Sequence, residues 1–282
     1  MTRFPDFLII GAMKAGTTTL YRDLRTNPNI LMPEDKEPNN LCSDKVLTEE
    51  GRSEYAALFQ AVKPGQICGE ASTAYTKYPD YKSVAERAKK ICGAGLKIVY
   101  VVREPIQRIV SQYHHEHSFG LVKEDINTAV RIHPRFLNYS RYYMQIKPWI
   151  DQFGEKNVKI LVFENYIQNR ISVTSEVCNF LQVNPMPELV VESEVYNRST
   201  DKIRGLEFWF SLSRNAAYRK WLRPLLPWRI RHAVLQHLLP KASISSDSLT
   251  DATMQYLREN LSEDFDKLFT LTGVRNSIWQ KD

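Results

Sequence analysis

The stretch Phe7-Leu8-Ile9-Ile10-Gly11-Ala12-Met13-Lys14-Ala15-Gly16-Thr17-Thr18-Thr19-Leu20-Tyr21 reads as a short apolar strand, a glycine-bounded turn and the first turn of a helix. Gly11 and Gly16 permit backbone shapes that other residues resist. A loop of that shape turns consecutive backbone N–H groups inward at the positive end of a helix, where an anion is stabilised. Lys14 adds a full positive charge, and Thr17 and Thr18 add hydroxyls. The stretch is a socket for a phosphate-type anion, built from Lys14, Ala15, Gly16, Thr17 and Thr18.

The spacing narrows the choice of anion. The loop that binds nucleoside triphosphates reads G-x-x-x-x-G-K-[ST], with lysine directly after the second glycine and a hydroxyl on magnesium. Here two glycines stand at that spacing, but Thr17 occupies the lysine position and the lysine sits inside the loop, at Lys14. A lysine there lies beside the bound phosphate, next to a leaving oxygen, instead of reaching out to a distant γ-phosphate.

Working outward, strands alternate with helices. Residues 17–25 read as a helix ended by Asn27-Pro28, and Met32 to Asn40 as a loop marked by proline and asparagine. Helices are expected over 53–59, 81–91, 135–153 and 165–181, and short strands over 66–72 and 158–163. Leu96 to Val102 is the best strand, apolar and β-branched, and is expected to be central and parallel. Pro105 opens a helix that runs to His117. This alternation implies right-handed crossovers and a parallel sheet covered on both faces. Ligands on such sheets bind at the carboxyl ends of the strands, where Gly11, Glu70 and Arg103 lie.

Of the 282 residues, 43% are hydrophobic and 25% charged, an ordinary soluble composition long enough to bury a core without staples. Cys42, Cys68, Cys92 and Cys178 form no C-x-x-C pair, so free thiols in a reducing compartment are expected. No apolar run reaches the roughly 18 residues of a membrane span, and none reads as a signal peptide. The expected location is the cytoplasm, at most peripheral to a membrane surface.

The strand 97–102 carries the most functional information. In a magnesium-using phosphate-transfer enzyme the equivalent strand commonly ends in an aspartate that helps hold the metal. This one ends in Arg103, which suits a second anion, and no metal site is expected. Ser111 follows eight residues later, at a spacing that can turn its hydroxyl toward the strand end. Arg103 and Ser111 together can grip a second phosphate, the arginine through parallel charged hydrogen bonds. Two anion sites without a metal ligand point to a nucleotide with phosphates at both ends.

With these motifs the chain resembles the sulfotransferase family, whose donor is 3′-phosphoadenosine 5′-phosphosulfate (PAPS) and whose nucleotide product is adenosine 3′,5′-bisphosphate (PAP). Gly11 to Thr18 is similar to that family's 5′-phosphosulfate loop, and Arg103-Glu104-Pro105 through Ser111 to its 3′-phosphate element. Lys36-Glu37-Pro38, Gly69 to Tyr75, and Leu257 to Gly273 followed by Trp279 also match. Within the family the likeness is closer to the bacterial and glycan-modifying branch than to enzymes acting on phenols and steroids. The resemblance implies a three-layer α/β fold of the P-loop nucleotide-kinase type, a central parallel sheet flanked by helices. It implies sulfuryl transfer without a required metal, to the hydroxyl of a glycan, a glycolipid or a small alcohol. Lys14 would stabilise the leaving phosphate, and Glu37 would be the general base, as in glycan-acting relatives that carry a catalytic glutamate in a Lys-Glu loop. Lys36 is expected at the donor or the acceptor, and Glu70 and Ser72 near the acceptor or alternatively as supports of their loop. Arg198, in Tyr196-Asn197-Arg198-Ser199-Thr200, is expected as a further phosphate contact, because relatives place there a loop that closes over the donor. Two departures bear on the acceptor. Asn39 stands where glycan-acting relatives often have histidine, and Ala71 where they often have lysine.

Charge adds a last feature. The formal net charge is +6, yet no acidic residue lies between Glu207 and Asp247, a gap that holds Arg214, Arg219, Lys220, Arg223, Arg229, Arg231 and Lys241. The basic character belongs to this segment, interleaved with Tyr218, Trp221 and Trp228. Residues 208–241 read as a solvated lid, a contact with an anionic membrane surface, or a polyanion site. No nucleic-acid recognition motif accompanies them. His114, His115 and His117 read as residues of a helix surface, since no carboxylate–cysteine cluster supports a metal. The expected organisation is one domain over 1–282: an α/β core over 1–200, a basic helical lid or insertion over 201–249, and a closing helix over 250–282, capped by Ser248 or Thr250. The rival enzyme reading is a P-loop nucleotide kinase, against which the position of Lys14 and the missing aspartate after Val102 both count. A small-molecule alcohol or phenol is the rival acceptor.

Overall fold

β1 (Phe7–Gly11) is buried along its whole length at the centre of a five-stranded parallel sheet, in a computed structural model that describes residues 3–191 and 248–272. β3 (Ile67–Ala71) pairs with one side of it and β4 (Lys97–Val102) with the other. β2 (Ile30–Leu31) and β5 (Val158–Val162) complete the order β2-β3-β1-β4-β5. Ile98 to Val102 are fully buried, as an apolar, largely β-branched run on a doubly covered strand must be. Connections leave β1 toward β2 and leave β4 toward β5, so the strand order reverses between β1 and β4. A crevice opens there at the carboxyl ends of both strands.

Helices cover the sheet. α1 (Thr17–Thr26) packs on β1 and β3, α2 (Glu49–Ala57) and α3 (Val84–Cys92) follow, and α4 (Pro105–Ser118) leaves the end of β4. α5 (Ile126–Ile132) and α6 (Arg135–Asn138) precede α7 (Tyr142–Phe153), which packs on β4 and β5. α8 (Phe163–Gln168), α9 (Arg170–Phe180) and α10 (Asp251–Thr272) complete the described helices. A second apolar cluster off the sheet joins Ile109 and Tyr113 of α4, Val130 of α5, Phe136 of α6 and Leu257 and Leu261 of α10.

Several boundaries differ from the expectation. The helix expected over 135–153 is two helices. Ser140, between them, binds Arg108, and the carboxylate of Asp264 on α10 caps the new start by accepting from the Tyr143 and Met144 N–H groups at 2.9 and 2.8 Å. The helix expected over 165–181 breaks at Asn169 into α8 and α9. α2 begins earlier than expected because the Thr48 hydroxyl accepts from Gly51 N–H. α3 begins later, after Ser83 turns left-handed at φ 56°. Thr250, not Ser248, caps α10, accepting from Thr253 N–H at 3.2 Å. The segment expected as a lid over 201–249, apart from 248–249, and the part of the expected closing helix beyond residue 272 lie outside the described residues.

α1 is fixed from behind. Its Asp23 carboxylate, 3% exposed, accepts from Arg170 Nε at 2.7 Å, Arg170 Nη2 at 2.5 Å and Tyr166 Oη at 2.5 Å. A buried, fully hydrogen-bonded pair of this kind costs about 3–5 kcal/mol if one partner is removed. It holds the helix whose first turn faces the crevice.

Candidate active site

The turn after β1 has the geometry of an anion socket. Ala12 N–H bonds Val101 O at 2.7 Å, which ties the turn to β4. Lys14 takes φ 70° and Gly16 takes φ 82° immediately before α1. No side chain caps α1, and no acidic residue stands in its first turn, so the leading N–H groups keep their affinity for an anion. Gly16 is doubly constrained: besides its positive φ, a Cβ there would meet the Phe163 ring at 2.7 Å.

Phe163, just past β5, also receives the Arg103 guanidinium, 4.9 Å from its ring centroid. Arg103 Nη1 donates to Lys14 O at 3.3 Å. The two elements identified as anion sites therefore meet across one aromatic ring. Glu104, beside Arg103, is spent on α4, its carboxylate accepting from Ile106 and Gln107 N–H. Ser111 lies half-buried two turns into α4, and its hydroxyl makes no hydrogen bond among the described residues. Arg108 of the same helix is fully buried. It donates to Ser140 Oγ, Gln112 Oε1 and Phe136 O, and reaches Met13 O of the anion turn at 3.5 Å.

The second wall comes from Lys36 to Leu41. Lys36 Nζ donates to Thr17 Oγ1 at 3.3 Å and to Glu37 Oε1 at 2.5 Å, so one ammonium joins the start of α1 to the Glu37 carboxylate. Tyr21 of α1 donates to the Pro33 and Glu34 carbonyls, which holds the same loop from below. Glu37 is 34% exposed. Its carboxylate accepts from Thr73 N–H at 2.8 Å and Thr73 Oγ1 at 3.1 Å, and its own N–H bonds Ala71 O at 2.9 Å. Glu37 and Asn39 adopt φ 64° and 58°. With Lys14 they make three left-handed non-glycine residues around one crevice, the kind of backbone strain that gathers at functional sites.

Glu70 is 1% exposed and Ser72 0%, and both are engaged inside the protein. Of the two readings given by the sequence, support of the loop is the one their burial allows. Burial pushes the Glu70 carboxyl up to about 7, against the opposing hydrogen bonds from Tyr75, Ser72 and Tyr55. Lys77, following the turn of Thr73–Thr76, is pushed below the usual lysine range by burial, with Glu37 and Glu116 opposing. Lys77, Thr73, Phe163 and Arg108 were missed in the sequence. Phe163 and Thr73 had a usable signal, since each follows the carboxyl end of a parallel strand. Arg198 lies outside the described residues. Among the described residues no cluster of three or more His, Cys, Asp or Glu forms a metal site.

A parallel sheet with an anion turn at its reversal point defines an α/β protein of the P-loop type. The family model "Sulfotransferase domain" matches residues 4–220, most of the chain, and the chain belongs to that family. Among curated relatives, the membrane-associated sulfotransferase kil1 of Dictyostelium discoideum is 28% identical over 47% of this chain and 31% of its own length. Heparan sulfate glucosamine 3-O-sulfotransferase 6 of Mus musculus is 33% identical over 39% of this chain and 30% of its own length. The matches thus span less than a third of each of these relatives. The solved structure of a sulfotransferase from Alicyclobacillus acidocaldarius superposes with a TM-score of 0.67 at 22% identity, covering 99% of this chain and 100% of that one, and shows the same fold. The family places the chain with sulfotransferases, and the kinase reading falls away.

Proposed function

We propose that this protein transfers the sulfuryl group of PAPS to an acceptor hydroxyl of a carbohydrate or glycolipid, leaving PAP. The S–O bond to the 5′-phosphate breaks, a new S–O bond forms to the acceptor oxygen, and the acceptor proton passes to Glu37. Lys14, inside the socket, stabilises the charge that develops on the leaving phosphate oxygen. The N–H groups at the start of α1, with Thr17 and Thr18, hold the 5′-phosphate; Arg103 and Ser111 hold the 3′-phosphate. The observation that carries this reading is the Lys36 ammonium on both Thr17 and Glu37, which sets a carboxylate beside the socket. The Lys-Glu loop and the heparan sulfate relatives favour a carbohydrate acceptor over a phenol.

The test is radiolabelled sulfate transfer from PAPS onto heparan sulfate, glycolipids and phenols in the presence of a magnesium chelator. Transfer to a carbohydrate hydroxyl is expected. Glu37→Ala should lower turnover about 10²–10⁴-fold, the worth of a general base, with PAP affinity unchanged by calorimetry. Transfer to phenols alone would remove the carbohydrate reading, and full turnover by Glu37→Ala would remove the base.

A further inference from the structure

Glu70 is a carboxylate buried without an ion-pair partner among the described residues. Its Oε1 accepts from Tyr55 Oη at 3.0 Å and from Tyr75 Oη, and its Oε2 accepts from Ser72 Oγ at 2.7 Å. Burying such a charge is costly, and three hydroxyl donors make it tolerable. Two of those hydroxyls do more than solvate it. Ser72 Oγ accepts from Asn39 N–H at 3.1 Å, and Tyr75 Oη accepts from Leu41 N–H at 3.4 Å. Two relays therefore run from the backbone just after Glu37, through one hydroxyl each, and end on the two oxygens of one carboxylate. The turn they secure is the strained one: Glu37 and Asn39 are left-handed, and Asn39 Nδ2 donates to Glu37 O at 2.8 Å. A left-handed non-glycine residue persists only where its surroundings hold it.

We propose that Glu70 is a positioning residue for Glu37, acting through Ser72 and Tyr75 on the backbone of Asn39 and Leu41. This rests on the reading of Glu37 as the base. While Glu70 is ionised, both hydroxyls spend their hydrogens on it and offer lone pairs to the Asn39 and Leu41 N–H groups, an order that strengthens each bond along the chain. A protonated Glu70 brings a further donor among groups that already donate, so one of Tyr55, Tyr75 and Ser72 must accept in place of donating, and two of those three belong to the relays. The titratable groups around it are Tyr55 from α2, Tyr75 from its own turn, Glu37 and Cys42 from the facing loop, and Cys92 from α3. With the carboxyl pushed up to about 7 by burial, this change of order falls near neutral pH.

Amide hydrogen exchange of the whole chain, read by mass spectrometry and corrected for intrinsic rates, tests the proposal without an acceptor. At about pH 8, Glu70→Gln should exchange residues 37–41 about tenfold faster than the wild type, with β1 and β4 unchanged. Wild type should loosen in the same segment on going to about pH 6, and Glu70→Gln should not respond. Exchange within about twofold of wild type at 37–41, or a rise shared by β1 and β4, overturns the proposal. If Glu70→Gln does not fold, Ser72→Ala and Tyr75→Phe each break one relay, and wild-type protection in both overturns it. Turnover of Glu37→Ala judges the base separately: wild-type exchange in Glu70→Gln beside an inactive Glu37→Ala sinks the positioning role alone.

Discussion

On the function proposed above, the crevice has a donor wall and an acceptor wall, and the two are built in opposite ways. The donor wall is one contiguous strand, turn and helix whose working parts are backbone N–H groups and Lys14, stiffened from behind by the Asp23–Arg170 pair. The acceptor wall is assembled from two segments more than thirty residues apart, 36–41 and 70–77, joined through side-chain hydrogen bonds to a buried carboxylate. A wall of backbone groups tolerates change at most of its side chains. A wall of side-chain relays fails when any one link is lost.

The contrast can be broken in three ways. The largest effect is expected from Lys14→Ala, which removes the charge beside the leaving oxygen. Turnover in the radiolabel assay should drop about 10²–10³-fold, comparable to losing one oxyanion donor. A near-wild-type rate would reduce the donor wall to its backbone.

Next comes the pH dependence of stability. Below the ordinary value of 4.5, Glu70 is protonated folded and unfolded alike; above about 7 it is ionised in both, and the folded state bears the buried charge. Wild type should therefore lose about 3 kcal/mol relative to Glu70→Gln as pH rises from about 4.5 to about 7, seen as diverging denaturation midpoints. Parallel curves would place the carboxyl elsewhere than at the root of the acceptor wall.

The smallest effect belongs to Arg103→Ala. Calorimetry with PAP should show affinity weakened about 10–100-fold, the worth of charged hydrogen bonds, while Glu37→Ala leaves it unchanged. Equal affinity in all three proteins would separate Arg103 from the donor.

The same contrast explains what could be read before the structure. The strand, turn and helix of residues 7–21 were readable because their parts are consecutive, and strand 97–102 because an apolar, largely β-branched run has few other uses. Arg103 was placed correctly at the strand end, but its tie to Lys14 O and its seat on Phe163 were not foreseen, since Phe163 comes sixty residues later. Glu70 could be read as facing the acceptor or as a support, because sequence shows a charge near a strand end without its direction. Only packing shows that Tyr55, Tyr75 and Ser72 converge on it. The break before α7 escaped because it is made by distant partners, Asp264 above all.

That last contact bears on how the chain is made. α7 covers β4 and β5 in the middle of the fold, yet the carboxylate that closes its first turn sits at position 264. A nascent polypeptide emerging from the ribosome can lay down the strands of the sheet in order. The start of its central covering helix stays open until α10 has been translated, 120 residues further along the chain, so this part of the fold closes well after the sheet it covers.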